Sequence, residues 1–358
     1  MNRRLFIVAA ILAALGCGTT TPITAADPIA TPRTPARLSM QLTAPLQPLG
    51  VGTGHSAFPG LAKRPDGSIK LVWRQGSDHY IARDGALVEA TSTNGGSTYT
   101  GVSTFRSGGT DYRDPSVSFI DGHEYITWFT GSNPAPAQGA FVSRDGGNPV
   151  RIDGLPYAAI AAPVVKLPDG RLGTAFYGRK AGEVTDTAWM AWSSDLGQTW
   201  TTNRIFNSTS IGLAHNEPWL VVDDTGALHM FARWGQADGI GVRSSMDSGV
   251  TWGPARKILS DATGRPTTIQ STNGQLVMVY RALPSKAAQL AYSNDRGQTW
   301  SVGPVLLTSP AGSPNGMTYA AMVTTQPGTV RLVVGMENAD GSSVLYGSTL
   351  VEPTRLVR

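Results

Sequence analysis

One eight-residue pattern, Ser-x-Asp-x-Gly-x-Thr-Trp, returns at a fixed interval along this chain and restricts its fold more than any other feature. It reads SSDLGQTW at 193–200, SMDSGVTW at 245–252 and SNDRGQTW at 293–300. Degenerate copies, STNGGSTY at 92–99 and SRDGGNPV at 143–150, keep the phase, so the period is about fifty residues. No copy offers more than one carboxylate, too few hard oxygens for a calcium loop. The physical reading is a turn: Ser and Asp side chains satisfy backbone amides, glycine takes the strained angle, and the aromatic residue packs between strands.

A second motif repeats in the same phase. PGLAKRPDGSIKLVWR from Pro59, PVVKLPDGRLGTAFYGR from Pro163, PWLVVDDTGALHMFAR from Pro218 and PTTIQSTNGQLVMVYR from Pro266 each join two apolar runs through a polar glycine turn. PSVSFIDGHEYITWF from Pro115 and YAAMVTTQPGTVRLVV from Tyr319 complete six β-hairpins. Four short strands in about fifty residues, repeated around an axis, describe an all-β, six-bladed β-propeller of four-stranded antiparallel blades. The last unit lacks the turn motif, so an early strand near LSMQLTAPL is expected to close the ring.

Composition agrees: 42 glycines and nine tryptophans in 358 residues, with 15% charged residues, describe a turn-rich β chain. A net charge of +4 without a basic run interleaved with aromatics points away from nucleic acid. MNRRLFIVAAILAALGCG places two arginines before an apolar run too short to span a bilayer, as a bacterial-type export signal does. The expected division is an export signal at 1–26, a Pro/Thr/Ala-rich tether at 27–40 and one propeller at 41–358, secreted or on the cell surface. Cys17 is the single cysteine, which excludes an internal disulfide and offers the alternative of a lipid anchor. The five histidines show no metal spacing, and the reading includes no metal and no cofactor. His55, His79 and His215 fall near the strand edges described next, whereas His123 and His229 fall inside second strands.

In an antiparallel hairpin the first strand starts at the edge where the second one ends. Residues before each leading proline and residues closing each second strand therefore share one face. The first set is Ala57, Arg113 with Asp114, Ala162, Glu217, Arg265 and Tyr319; the second is Arg74, Arg179, Arg233 and Arg281, with Asp78 just beyond Arg74. Four arginines in one register position, converging with Glu217 and Tyr319, form a cationic funnel suited to an anion or a polyhydroxylated sugar.

The repeated turns resemble the Asp-boxes of sialidases, and NEPWLVVDDTGALHMFAR is similar to that family's glutamate-to-arginine segment. The resemblance covers nearly the whole chain beyond the leader. It implies a retaining exo-glycoside hydrolase acting on a terminal, acidic sugar, with a glycan or glycoconjugate as partner and the protein a monomer without a membrane span. It also implies Tyr319 as nucleophile, Glu217 as its proton acceptor, Asp78 as acid/base, and Arg74, Arg233 and Arg281 on the substrate. One position departs: Ala57, in SAFPG, stands where the family has its first carboxylate-binding arginine, and Arg113 from the next unit is the candidate to replace it. Two other readings keep the fold. One is an exo-glycosidase for a neutral sugar using Asp78 and Glu217 as a carboxylate pair; the other is a glycan-binding propeller without turnover.

Overall fold

The alternating apolar runs fold as antiparallel strands in the computed structural model, which describes residues 39–80, 82–132, 138–207, 214–235 and 238–352. The expected export signal, Cys17 and nearly all of the expected tether lie outside the described residues. Strands β1 (Gln41–Leu42) and β2 (Gln47–Pro48) precede a unit of β3 (His55–Lys63), β4 (Ile69–Gly76), β5 (Ala86–Ser92) and β6 (Thr100–Arg106). The second unit holds β7 (Asp111–Ile120), β8 (His123–Gly131), β9 (Gly139–Arg144) and β10 (Val150–Arg151). In the third, the first strand is split into β11 (Tyr157–Ile160) and β12 (Val165–Lys166), followed by β13 (Leu172–Arg179), β14 (Thr187–Ser193) and β15 (Thr201–Arg204). The fourth comprises β16 (His215–Val222), β17 (Leu228–Trp234), β18 (Ile240–Ser245) and β19 (Arg256–Leu259). The fifth comprises β20 (Ala262–Gln270), β21 (Leu276–Ala282), β22 (Ala288–Ser293) and β23 (Ser301–Leu307), and the chain ends with β24 (Met317–Gln326), β25 (Thr329–Glu337) and β26 (Ser343–Val351). There is no helix among the described residues, and none long and apolar enough to cross a membrane.

This is a propeller-like, all-β arrangement. The first strands β3, β7, β12, β16, β20 and β24 are neighbours in cyclic order, with β24 returning to β3. The N-terminal residues complete the last unit as expected, because β1 and β2 both pair with the outer edge of β26. Among the described residues the hydrogen-bonded sheets number five rather than six: four are separate, and the fifth is nine-stranded. First and last units run together through one parallel bridge, Ser343 to His55.

Side chains alternate across each strand, and here both faces are apolar because each sheet is covered by its neighbours. In β21, Leu276, Met278 and Tyr280 pack into a cluster with Met230 and Phe231, whereas Val277 and Val279 pack with Met317, Leu332 and Val334. At the hub, Arg265 is fully buried and donates to the carbonyls of Ala161, Pro59 and Ala320, on three different first-strand segments. Its guanidinium also lies 5.0 Å from the Trp219 ring and 4.9 Å from the Tyr319 ring.

The repeated turns do what their chemistry demands. In the fifth unit, Asp295 Oδ1 accepts from Thr299 N at 2.8 Å and Ser293 Oγ at 2.8 Å, and Oδ2 accepts from Thr299 Oγ1. Asp195 and Asp247 repeat the pattern, and the threonine hydrogen bonds hold both carboxyls down to about 2. Arg296 and Gly297, at φ of 55° and 80°, turn the chain in the left-handed region. These turns follow the third strand of each unit, so they lie at the end opposite the starts of the first strands. The degenerate copy at 143–150 departs: Asp145 instead accepts from Glu124 N at 2.8 Å and contacts His123 Nδ1 at 2.7 Å.

Candidate functional site

Each first strand begins with an irregularity, and the irregularity builds the site. Between Ala57 and Gly60, between Arg113 and Ser116, between Asn216 and Trp219, and between Met317 and Ala320, the first strand carries one residue more than its partner. These are β-bulges, which re-aim a side chain at the cost of local pairing. The residues inside them, Phe58, Asp114, Glu217 and Tyr319, have φ of 58°, 50°, 52° and 68°. Non-glycine residues rarely hold such angles, and where they do the surrounding structure enforces it, often at functional sites. Proline follows three of the four, at 59, 115 and 218, where the bulge removes the need for a ladder N–H.

All four bulge side chains line one cavity of about 210 Å³, together with Arg113, His79, Tyr80, Phe129, Tyr157 and Tyr177. A larger cavity of about 460 Å³ lies along the first strands beyond the bulges, bounded by 60–63, 116–120, 163–166, 219–222, 268–270 and 321–323. Its walls are mostly backbone and aliphatic side chains, with no convergent acid, base or nucleophile, so the smaller cavity is the candidate site.

There the Tyr319 phenol donates to Glu217 Oε1 at 2.6 Å. Arg233 Nε stands 3.2 Å from the other carboxylate oxygen. Burial, reinforced by the charges of Glu217 and Asp114, pushes the Tyr319 phenol well above its ordinary range, against the pull of Arg233. Tyr319 is therefore a neutral phenol whose proton already points at a carboxylate. Arg281 stands beside it across Gly264, where an added Cβ would come within 3.6 Å of both side chains. Arg281 donates through Nε to Met317 O at 2.7 Å and has no carboxylate partner among the described residues.

Arg113 lies in the site as expected, stacked on Phe58 at 5.0 Å and Phe129 at 5.8 Å. Its ion pair is with Asp111 at 3.0 Å, which leaves Asp114 without a hydrogen-bond partner. Burial pushes the Asp114 carboxyl up to about 6, although Arg113 and Arg265 lower it. The sequence register places Asp114 on this face, with Arg113, but assigns it no role there. The signal was present, because it precedes Pro115 as Glu217 precedes Pro218.

Two expected members fall elsewhere. Arg74 is fully buried and grips Asp111 with Nε at 2.8 Å and Nη2 at 3.0 Å, while Nη1 donates to Asp78 O at 2.7 Å. It is a structural arginine rather than a substrate ligand, because its donors are spent on Asp111 and the 77–80 turn. Asp78 itself is exposed, with Oδ1 accepting from Tyr80 N at 3.2 Å, and does not line the cavity. The expected four-arginine funnel is likewise mostly neutralised, since Arg179 pairs with Asp186 at 2.9 Å and stacks on Tyr157. Of the three flanking histidines, His79 reaches the cavity, His55 sits behind it, and His215 is buried between Phe206 and Trp234.

Ala57 is buried against Phe58 and Tyr319; its cross-strand partner is Arg74, and the Arg113 guanidinium lies over the adjacent Phe58 ring at 5.0 Å. A carboxylate network stands close by. Glu337 accepts from Asn315 Nδ2 at 3.1 and 3.0 Å, contacts His79 Nδ1 at 2.9 Å and lies 3.5 Å from His55 Nε2. These contacts, with burial opposing, hold the Glu337 carboxyl down to about 2. The donor atoms of His55, His79 and Glu337 lie within 4.8 Å of one another, as metal ligands do. The hydrogen-bond chemistry does not fit a metal, however. Arg74 Nη1 stands 3.5 Å from His55 Nδ1, which sets a guanidinium charge against the cluster where a cation would sit.

Comparison with known proteins places this geometry on a recognised scaffold. Residues 151–261 match the BNR repeat-like domain. No curated protein sequence matches the chain. Among solved structures, a protein of unknown function from Dyadobacter fermentans superposes with a TM-score of 0.76 at 17% identity, covering 88% of this chain and 99% of its own. The Hadza microbial sialidase Hz136 gives 0.66 at 15% identity, over 82% of this chain and 65% of its own. Trypanosoma rangeli sialidase, in complex with the inhibitor DANA, gives 0.64 at 12% identity, over 87% of this chain and 59% of its own. The chain thus spans about two thirds or less of these two sialidases, and at such identities the likeness is one of fold.

Proposed function

We propose that this protein is an exported glycoside hydrolase that removes a terminal sugar by a retaining mechanism with Tyr319 as nucleophile. The sialidase-like propeller supports a role in glycan hydrolysis or glycan binding. The observation that carries the hydrolytic reading is the 2.6 Å hydrogen bond from Tyr319 to Glu217 inside an open, aromatic-lined cavity. A phenol is a weak nucleophile unless a base takes its proton as it attacks, and Glu217 is already in place to do so.

In the first step Tyr319 Oη bonds to the anomeric carbon, its proton passes to Glu217, and the glycosidic C–O bond breaks with its electron pair on the leaving oxygen. That oxygen needs a proton from the mouth of the site, because the leaving group points to solvent. Asp78 is the carboxyl on the rim, in the turn whose next residues, His79 and Tyr80, form the wall. Asp114 sits on the floor and is suited instead to hydrogen-bond a sugar hydroxyl. In the second step Asp78 takes a proton from a water whose oxygen bonds to the anomeric carbon, the bond to Tyr319 Oη breaks, and Glu217 returns its proton to the phenolate, with net retention.

The test is a panel of aryl glycosides, acidic and neutral, assayed with the full chain and with Tyr319→Phe. Release of aglycone that the substitution abolishes supports hydrolysis. Glycan binding without release, unchanged in Asp78→Ala, supports the binding reading that the exposure of Asp78 favours. Export is tested by N-terminal sequencing of protein recovered outside the cell, with a start at Asp27 or a lipidated Cys17 as the two expected forms.

A further inference from the structure

Asp78 is placed by its backbone rather than by its own carboxylate. That carboxylate is exposed and, among the described residues, accepts only from Tyr80 N within the turn, at 3.2 Å. A carboxyl that protonates a leaving oxygen must come within hydrogen-bond reach of it, and a displacement of about 1 Å costs on the order of 10²-fold in rate. Whatever holds the 77–80 turn therefore bears on the chemistry.

The turn is held by a carboxylate that does not line the cavity. Asp111 opens β7 in the second unit and is fully buried. Its Oδ1 and Oδ2 accept from Arg74 Nε at 2.8 Å and Nη2 at 3.0 Å, a two-point grip that fixes the guanidinium plane. With the plane fixed, Nη1 points at Asp78 O, 2.7 Å away. Oδ2 also accepts from Ala82 N at 3.0 Å, so the same carboxylate holds the chain on the far side of the turn. Gly85 completes the fit, because an added Cβ there would collide with Asp111 Oδ1. Only glycine lets the backbone pass so close. From the opposite direction, His79 Nδ1 meets Glu337 Oε2 of the last unit at 2.9 Å.

We propose that Asp111 is a positioning residue for leaving-group protonation: through Arg74 and the Ala82 amide it holds the turn that carries Asp78 at the rim of the cavity. The assignment rests on the hydrolase reading, with Asp78 as the acid, and extends it to a residue that touches no reacting atom.

The experiment separates positioning from stability through the leaving group. Two glycosides of the sugar that the aryl-glycoside panel shows to be cleaved are compared, one with a 4-nitrophenyl and one with a benzyl aglycone. Nitrophenolate departs without a proton, whereas benzyl alcohol needs one. The ratio of their kcat/KM values is read for the parent, Asp78→Asn, Asp111→Asn and Arg74→Lys. Lysine keeps the charge but cannot span Asp111 and the Asp78 carbonyl together. Asp78→Asn should raise the ratio about 10²-fold in favour of the nitrophenyl glycoside. Asp111→Asn and Arg74→Lys should each raise it about 10-fold, less because the His79 contact still holds one side of the turn. Partial unfolding lowers both rates alike and leaves the ratio unmoved. A shift of Arg113, which Asp111 also holds at 3.0 Å, acts on the sugar common to both substrates.

A parent-like ratio in either Asp111→Asn or Arg74→Lys, beside a raised one in Asp78→Asn, would overturn the positioning role and leave the hydrolase reading intact. If Asp111→Asn yields no folded protein, Arg74→Lys decides alone. An unchanged ratio in Asp78→Asn would overturn Asp78 as the acid and the positioning role with it, while Tyr319-dependent release would still support hydrolysis. A panel in which no sugar is released, or release that survives Tyr319→Phe, would remove the hydrolase reading itself.

Discussion

Glu217 and Tyr319 stand 102 positions apart, each at the bulged start of a first strand, and their side chains meet at 2.6 Å. Glu217→Gln separates the base from the hydrogen bond. The amide oxygen still accepts the phenolic proton's hydrogen bond but cannot carry that proton away. A loss in kcat of about 10²–10⁴ with a nearly unchanged melting temperature is expected, in the range of general-base removal. Rate assays and thermal melts on the same preparation check it.

Asp114 reverses the usual sign of carboxylate linkage. Its folded pKa, raised to about 6 by burial, exceeds the ordinary 3.8, so the folded state binds more protons between those values and stability falls as pH rises through that window. Glu337, Asp195 and Asp247 are held near 2, so their contribution is lost as pH falls below about 4. The melting temperature should therefore peak near pH 4–5. Asp114→Asn should melt above the parent at pH 7 and together with it near pH 4; equal melting at both values would contradict the assignment.

Arg265 joins three first-strand segments through buried carbonyls. Arg265→Met fills similar volume but removes the guanidinium donors from all three, leaving Ala161 O and Ala320 O only the Ser116 and Thr267 hydroxyls. A cost of about 3–5 kcal/mol in urea unfolding is expected from burying polar groups without partners. Arg74→Met should destabilise as well, since it removes two of the hydrogen bonds to buried Asp111 and leaves it Arg113 and the Ala82 amide.

Asp295 belongs to the repeated turn and not to the site. Asp295→Ala removes three hydrogen bonds to the carboxylate and should cost about 2 kcal/mol, leaving kcat/KM unchanged. A proportionate loss of activity in fully folded protein would show that the turns reach the chemistry.

The turn motif was legible because each copy is closed within eight residues: Ser293, Asp295, Gly297 and Thr299 satisfy one another locally. The hairpins were legible from period-two patterning, and the ring closure by residues 41–48 from a missing copy. Glu217 and Tyr319 could be placed because both occupy the residue at which the first strand bulges. Arg74 could not be assigned correctly, since its fate depends on Asp111 in the next unit. His79 could be placed near the strand edges, but its pairing with Glu337 was beyond reach for the same reason: 258 positions separate them, and only the closing of the ring brings the first and last units into contact. The sequence also hid the neutralisation of Arg74 and Arg179, because their partners Asp111 and Asp186 lie outside the register that aligned the arginines.

The most direct test of the central claim is to trap the intermediate. The protein is incubated with an activated, fluorinated glycosyl fluoride of whichever sugar the aryl-glycoside panel shows to be cleaved, then digested and read by peptide mass spectrometry. The account predicts one added glycosyl unit on the peptide containing Tyr319, on the phenolic oxygen, absent in Tyr319→Phe. Steady turnover with no adduct, or an adduct on Glu217 or Asp114, would contradict it.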